Sequence, residues 1–285
     1  MKKVFPLIIL LLIASCKKES DATPVVATDT INQSAAPQAR DAAVDSLSVY
    51  IAQLNDNRAK TKAALATASA KEANKMYDKL VADNQVLVQK INKLEENFLA
   101  DFYAHFSGEE SHKPDKIIND KSAKLKEGGL EFLEEGEGYV AIQLQPDYYK
   151  KIFSAKVEKD YQRYIDLVAH DDKELYSADA GIIIPWEDLG KRLINWENFL
   201  KEYPGSTFKK QAEGFYHEYR YAFLMGYDNT PVIEYTTNII NEEPKNAFIK
   251  FAKEHPASPV MVYVNMLLED PKNLDKVAKE VNIAY

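Results

Sequence analysis

The stretch YDKLVADNQVLVQKINKLEENF, residues 77–98, is the part of the sequence that decides the fold. Its core positions recur three and four residues apart, which places them on one face of an α-helix. In chain order these positions are Tyr77, Leu80, Asn84, Leu87, Ile91, Leu94 and Phe98. The pattern lasts for three heptads, the shortest length that is typical of a coiled coil. We therefore expect a long helix that buries this stripe against another helix.

Two partners could cover the stripe. One is a second copy of the chain, in a parallel homodimer through residues 77–98, where Asn84 at a core position would set the register. The other is the chain itself, because the region just upstream carries a matching stripe: Val44, Leu47, Ile51 and Leu54. In that case residues 41–68 fold back onto residues 71–106 as a helical hairpin. We expect long helices over residues 39–106 and favour the hairpin.

A period-2 alternation replaces the helical pattern further along the chain. Residues 130–133 and 139–144 alternate around the turn Glu135-Gly136-Glu137-Gly138, which is typical of a β-hairpin. An isolated hairpin is only marginally stable in water, so we expect this one, near residues 130–144, to lie on helices. The glutamates around the turn lack the ordered oxygen ligands of a calcium loop, and we interpret them as solvated.

From Pro146 onward the sequence is helical again, and it contains one internal repeat. The segment FLKEYPGS, residues 199–206, recurs as FAKEHPAS, residues 251–258, at an offset of 256 − 204 = 52. Each copy ends one helix at a proline and carries a serine, Ser206 or Ser258, placed to cap the next helix. A repeated helix–turn–helix predicts stacked helical hairpins.

The Tyr-Pro-x-Ser corner at residues 203–206 resembles the junction between units of tetratricopeptide-type outer-membrane lipoproteins. The resemblance covers the two corners and the helices beside them, and the offset of 52 departs from the roughly 34 residues of a tetratricopeptide unit. It implies degenerate helical repeats within residues 107–285. The expected fold is therefore mostly α, with an N-terminal helical hairpin or coiled coil, one small β-hairpin, and C-terminal helical hairpins.

The first residues of the chain are typical of a targeting signal. Lys2 and Lys3 precede an apolar run of about ten residues, well short of the roughly 20 that span a bilayer, so residues 1–15 indicate a signal peptide. The segment Ile13-Ala14-Ser15-Cys16 resembles the lipobox of bacterial lipoproteins, in which the cysteine thiol is acylated and becomes the new N-terminus. Cys16 is the only cysteine in the chain. We predict it as the lipid attachment site, with a plain secretory signal as the alternative.

Residues 16–38 are interpreted as the lipidated cysteine and a flexible tether, because they are polar and show no helical period. The lipobox resemblance implies a location in the cell envelope. Lys17 stands where many inner-membrane lipoproteins carry aspartate, which favours the outer membrane and leaves the leaflet open. Asp29-Thr30-Ile31 also resembles the O-glycosylation motif of Bacteroidetes, so we expect a lipoprotein of that group of bacteria.

The charge of the chain argues against nucleic acid as a partner. Removal of residues 1–15 takes away two lysines, so the mature chain has a net charge of 34 − 44 = −10. Lysines are interleaved with glutamates, and the sequence shows no basic stripe that would neutralise phosphates. We expect binding to the membrane through the lipid, and a partner protein in the envelope.

Aromatic side chains are concentrated in one predicted helix and in the segment before it. Phe215, Tyr219 and Phe223 share one helical face, which suits core packing. Exposed aromatic rings, in contrast, favour contacts with proteins or glycans. The candidates for such binding are Trp186, Trp196, Tyr216, Tyr219 and Tyr221. Core packing is the alternative interpretation for these rings.

The sequence contains no nucleophile elbow, no zinc-protease helix motif and no glycine-rich phosphate loop. Its five histidines are scattered, so we predict no catalytic residue, no metal and no cofactor. The preferred function is that of a membrane-anchored envelope lipoprotein whose helical domain binds or scaffolds a partner protein. The alternative is a lipoprotein that binds or processes a small molecule or glycan in an aromatic-lined pocket.

Overall fold

The computed structural model describes residues 46–107, 113–234 and 236–282, all within one unit of the chain, Val44–Tyr285. The predicted signal peptide, Cys16 and the tether lie outside the described residues. The described part of the chain is mostly α-helical, with short antiparallel strand pairs. This finding confirms the expected fold class.

The helices account for most of the described residues. In chain order they are α1 (Ser46–Ala64), α2 (Ala70–Leu94), α3 (Glu96–Ala100), α4 (Lys116–Gly128), α5 (Tyr148–Phe153), α6 (Lys159–Asp171), α7 (Trp186–Glu202), α8 (Lys209–Met225), α9 (Glu242–Glu254), α10 (Met261–Glu269) and α11 (Leu274–Asn282). Short 3-10 helices follow α3 and α10, at Phe102–His105 and Pro271–Asn273.

The strands form pairs of neighbours in the chain. They are β1 (Phe106–Ser107), β2 (Lys113–Pro114), β3 (Leu130–Gly136), β4 (Tyr139–Leu144), β5 (Ser177–Ala178), β6 (Gly181–Ile182), β7 (Gly226–Tyr227), β8 (Thr230–Pro231), β9 (Ile233–Glu234) and β10 (Ile239–Ile240). The pair β3–β4 is the predicted hairpin, and the other pairs have two residues per strand.

Helices α1 and α2 pack against each other as the predicted helical hairpin. The turn between them spans residues 65–69 and ends in a capping box. In this box the hydroxyl of Ser69 accepts from the N–H of Glu72, and the Glu72 carboxylate accepts from the N–H of Ser69. Two backbone donors at the start of α2 are thereby satisfied. The structure therefore favours the hairpin over a coiled coil between chains.

The apolar stripe of α2 ends earlier than its pattern predicts. Leu94 is 46% exposed, because α2 stops there and the chain begins α3 after Glu95. Leu99 and Phe102, beyond this break, are buried instead. The earlier stripe positions face the protein's own core, so a homodimer through residues 77–98 would need a different face of α2.

Helix α2 is shared by two hydrophobic cores. Tyr77 and Leu80 belong to the larger core, which extends through α5 to α11, whereas Leu87 and Ile91 belong to a smaller core with α1, α4 and the β-hairpin. Asn84 lies between these two pairs and is fully buried. Its amide makes no close hydrogen bond, and the polar groups it interacts with are the hydroxyls of Tyr148 and Tyr149 on α5. Asn84 is thus an interior residue of the chain.

The β-hairpin and α4 close the smaller core. The hairpin occupies the predicted position, with Phe132 paired to Ile142, and packs on α2 and α4 as expected. The side chain of Asn92 in α2 donates to the Ile142 carbonyl at 2.7 Å and accepts from the Ile142 N–H at 2.8 Å. The sequence pattern does not predict α4. Its buried residues are Ile118, Leu125 and Gly128, and so few buried positions give no clear helical period.

Helices α6 to α11 stack around the larger core. Helix α7 packs on α8, α9 packs on α10, and α7 packs on α9, the arrangement expected of two successive helical hairpins. Residues 52 positions apart are buried in both copies: Trp196 and Phe248, Phe199 and Phe251, Phe208 and Val260, Ala212 and Val264. The repeat in the sequence is therefore also a repeat in the structure.

The two proline corners have the same backbone geometry. In each corner the serine N–H donates at 3.0 Å to the carbonyl three residues earlier, and the serine hydroxyl accepts at 3.2 Å from the N–H two residues later. The prediction that Ser206 caps the next helix is wrong in detail, because α8 begins at Lys209 with Phe208 as its N-cap residue. Ser206 and Ser258 close the corners themselves, and each hydroxyl donates to a carboxylate of an earlier helix.

Candidate functional site

Three of the aromatic candidates are core residues. Trp186, Trp196 and Tyr219 are 3%, 0% and 4% exposed, respectively. The indole N–H of Trp186 donates to the Phe223 carbonyl at 2.9 Å, and that of Trp196 donates to the Asp171 carboxylate at 2.8 Å. Because these indoles are buried and their donors are satisfied, the structure favours core packing at these positions.

The other two candidates, Tyr216 and Tyr221 on α8, are half-buried. The guanidinium of Arg220 lies 5.4 Å from the ring centroid of Tyr216, and the rings of Tyr221 and Tyr227 are 6.4 Å apart. Burial raises the pKa of the Tyr216 hydroxyl above its usual range. The five candidate rings are thus divided between the core and one partly exposed part of α8.

A groove lies between α7 and α9, and we call it the α7–α9 groove. Its volume is only about 20 Å³. Its apolar lining, Gly190, Ala247 and Phe251, is buried, and charged side chains surround it: Glu187, Lys191, Lys250 and Glu254. Gly190 lets α7 come close to α8, since a Cβ atom there would lie 3.1 Å from a ring carbon of Phe223. The part of this groove that a partner can contact is therefore its charged rim, where Lys191 and Glu254 are exposed.

Polar contacts join α7 and α9 at the N-terminal end of α7. The Lys250 ammonium lies 2.5 Å from the Glu187 carboxylate, and this hydrogen bond raises the pKa of Lys250. The Glu243 carboxylate accepts a 3.0 Å hydrogen bond from the Trp186 N–H, which suits the positive end of the α7 dipole. A neighbouring cavity of about 440 Å³ includes Trp186 and Asn246. The groove therefore carries charges of both signs.

A second concave surface lies between the tip of the β-hairpin and the β5–β6 turn. We call it the tyrosine groove; its volume is about 360 Å³, and its lining includes Tyr139, Tyr227, Glu135, Glu137, Ser177 and Asp179. Glu137, Asp179 and Ala180 in this groove have positive φ angles of 51°, 48° and 53°. Non-glycine residues in this region cost free energy and cluster at functional sites. The Glu137 N–H donates to Asp179 Oδ1 at 2.5 Å, which ties the hairpin tip to the turn.

Neither tyrosine of this groove is among the aromatic candidates predicted from the sequence. Tyr139 is 68% exposed, and strand alternation was a usable signal, because its neighbours Val140 and Ile142 pack on the smaller core. Tyr227 is placed by the β7–β8 pair, and its hydroxyl lies 2.8 Å from that of Tyr176. No local pattern connects residues 139 and 227, so their approach could not be predicted.

A buried ionic cluster holds α6 against α7. The Arg192 guanidinium lies 3.8 Å from the Asp171 carboxylate, and both side chains are 6% exposed. Arg192 also donates to the backbone carbonyls of Asp171 and Glu174, at 3.1 and 2.9 Å. These partners indicate a structural role. In the described part of the chain, no group of three or more His, Cys, Asp or Glu side chains could hold a metal ion.

Both grooves are assembled from segments that are far apart in the sequence.

Among the described helices, none is both long and apolar enough to cross a membrane. Comparisons with protein families, curated proteins and solved structures give no match to this chain.

Proposed function

We propose that this chain is an exported lipoprotein, anchored in the cell envelope by acylation of Cys16, whose helical domain binds a partner protein through the α7–α9 groove. The anchor is supported by the signal-like residues 1–15 and by the lipobox-like segment that ends at Cys16. Lys17 favours the outer membrane. A mature net charge of −10 disfavours nucleic acid as the partner.

The stacking of α7 on α9 is the observation that carries the partner-binding proposal. In solenoids of helical hairpins, corresponding helices of successive repeats line an extended binding surface. Helices α7 and α9 occupy corresponding positions here, with Gly190 and Phe251 lining the space between them. Lys191 and Glu254 at the rim are exposed. A partner segment that carries charges of both signs would be complementary to this rim.

The anchor is tested with metabolic labelling of the full chain by radioactive palmitate. The native chain should incorporate the label, and Cys16→Ala should not, because the thiol is the acyl acceptor. Lys17→Ala is the control and should incorporate label normally. Labelling of Cys16→Ala to the native level would contradict the anchor.

The groove is tested with a photo-cross-linking amino acid placed at Lys191 or Glu254 of the lipidated protein in native membranes. We expect one partner protein, captured in near-stoichiometric yield from both positions. The same amino acid at Val262, which is 60% exposed on α10 and does not line the groove, should not capture it. Equal capture from Val262, or retention of a sugar or peptide without a stoichiometric protein, would overturn the proposal.

The tyrosine groove favours a second candidate function, the binding of a glycan. Tyr139 presents an exposed ring beside the carboxylates of Glu137 and Asp179 and the hydroxyl of Ser177. An aromatic platform next to a few converging polar groups is typical of a small-molecule site. The tie between Glu137 and Asp179 holds these groups in place before any ligand arrives.

Isothermal titration of the purified chain with neutral oligosaccharides tests this second function. Tyr139→Ala should weaken binding by about tenfold, the loss expected for one stacking contact of about 1.4 kcal/mol. Val262→Ala is the control, since Val262 is 60% exposed on α10 and does not line the groove. An equal loss in both variants, or no saturable binding by the native chain, would exclude the glycan site.

A further inference from the structure

A third cavity differs from the two grooves in its charge. It lies where α5, α6 and α7 meet, has a volume of about 510 Å³, and is lined by Lys150, Lys151, Arg163, His170, Lys173 and Asn195 among others. The carboxylates in its lining are those of Asp147 and Asp166. With neutral histidine the lining carries 4 − 2 = +2, although the whole chain carries −8. The cavity thus concentrates positive charge in an acidic protein.

Helical spacing produces this concentration. In α6, Arg163, Asp166, Leu167 and His170 follow one another at intervals of three, one and three residues, so they share one face. The last turn of α5 contributes Lys150 and Lys151. Helix α5 packs on α6, and α6 packs on α7, which brings both sets to the same concave surface.

Two of the four cations are paired with carboxylates. Lys150 lies 2.8 Å from Asp166, and Lys151 lies 2.8 Å from Asp147. Gln162 also donates to Asp166, at 2.9 Å, so both oxygens of that carboxylate are engaged. The carboxylates of the lining are therefore already occupied by the two lysines of α5.

The other two cations have no carboxylate partner within the described residues. The Arg163 guanidinium donates at 3.2 Å to the amide oxygen of Asn195, a neutral acceptor that orients the guanidinium without cancelling its charge. Lys173 is exposed beyond the end of α6 and makes no ion pair in the described part of the chain. His170 is 64% exposed and lies 3.0 Å from Asp171. The charges of Arg163 and Lys173 are therefore available to bind an anion.

We propose that this cavity binds a phosphate group, held by the guanidinium of Arg163 and the ammonium of Lys173 with Asn195 as a positioning residue. The planar guanidinium matches two oxygens of a phosphate, and lysine adds a third charged donor. A cavity of about 510 Å³ is within the size range of small-molecule sites. The phosphate belongs either to a soluble phosphate ester or to a phospholipid headgroup. This inference is independent of the partner-binding proposal.

The test uses the full chain carrying Cys16→Ala, so that no acyl anchor is present. The apolar run within residues 1–15 remains and itself favours lipid, so flotation is measured as the difference between this chain and the same chain with Arg163→Gln. Inorganic phosphate and glycerol phosphate are titrated by calorimetry, and flotation is measured with vesicles of phosphatidylglycerol. We expect saturable binding in at least one arm, and the arm that binds identifies the source of the phosphate. Absence of saturable binding in both arms would overturn the proposal.

Matched variants separate a site from a general effect of charge. Arg163→Gln should weaken binding tenfold or more, Arg163→Lys should recover only part of it, and Asn195→Ala should weaken it without a change of net charge. Lys79→Gln removes one exposed positive charge on α2, outside the cavity and both grooves, and should bind normally. Lys173→Gln, at an exposed residue, gives the same test if Arg163→Gln does not fold. Equal losses in Lys173→Gln and Lys79→Gln would show a charge effect and refute the site.

Discussion

The hydroxyl of Ser258 donates a 2.6 Å hydrogen bond to the carboxylate of Glu197, 61 residues earlier in the chain. Both residues are buried, at 7% and 5% exposure. The bond connects the second proline corner to α7 in the first hairpin. In the first corner, Ser206 makes the equivalent bond to Asp160 of α6 at 2.7 Å. Each corner is therefore hydrogen-bonded to an earlier helix. In the second corner, the bond connects the two stacked hairpins.

Ser258→Ala should lower the free energy of unfolding by about 2 kcal/mol, because a buried carboxylate loses a charge-assisted hydrogen bond. Ser206→Ala is the matched variant, and its effect should be smaller, because Ser206 and Asp160 are only half-buried and water can replace the hydroxyl. Urea denaturation of both variants measures the difference. A larger loss for Ser206→Ala would contradict the importance of burial at the second corner.

Asn84→Leu should change the free energy of unfolding by less than about 1 kcal/mol. The apolar side chain removes the cost of a buried amide, but it also removes the polar neighbour of the Tyr148 and Tyr149 hydroxyls. Asn92→Leu is the control, and it should destabilise the protein, because Asn92 bonds both backbone groups of Ile142. Light scattering on the Asn84→Leu variant also tests the dimer hypothesis. A change of oligomeric state would show that Asn84 acts between chains.

Gly226→Ala should destabilise the protein by more than about 2 kcal/mol. Gly226 has a φ of 67°, and a Cβ atom there would lie 2.2 Å from the Thr230 carbonyl oxygen. Gly214→Ala is the control in the same helix region. No atom lies within 4 Å of a Cβ at Gly214, so alanine should stabilise α8 by about 0.5–1 kcal/mol. Thermal denaturation of the two variants should therefore give shifts of opposite sign.

Asp172→Asn should stabilise the protein at neutral pH. Desolvation and the negative charge of Asp171 raise the pKa of Asp172 to about 6. A raised pKa means that the folded state binds the proton more tightly, so the associated stability is present at low pH and is lost as the pH rises through 6. Asparagine cannot ionise and avoids that loss.

The melting temperatures of Asp172→Asn and the native chain should coincide near pH 4 and separate towards pH 7, with the variant higher. Asp172 is exposed, so solvent screening makes the gain smaller than the roughly 1.4 kcal/mol per pKa unit of a buried group. A difference that is the same at both pH values would show that ionisation of Asp172 is not its cause.

Local patterns predicted the elements well where the apolar period is strong. The stripe from Tyr77 to Ile91, the alternation of the β-hairpin and the two proline corners were each readable from neighbouring residues. The sequence did not predict helix α4 or the exposure of Leu94. A thin apolar stripe carries little periodic signal, and the end of α2 depends on how the following helix packs.

The sites were less predictable than the fold. Aromatic content singled out Trp186, Trp196 and Tyr219, which are buried, because large rings serve the core as readily as a binding surface. Tyr139, Tyr227, Arg163 and Lys173 line cavities that the aromatic candidates did not reveal. Each cavity requires segments that meet only after the chain has folded.

By itself, the sequence determined the helix-rich class, the hairpin near residues 130–144 and the repeated corners, because hydrophobic period and turn chemistry act between neighbouring residues. It also predicts an acylated Cys16 by resemblance. Tertiary structure alone decided which helix covers the stripe of α2, where Asn84 lies, and which charges converge between α5 and α7. These outcomes depend on contacts between residues far apart in the chain, and no local pattern encodes such contacts.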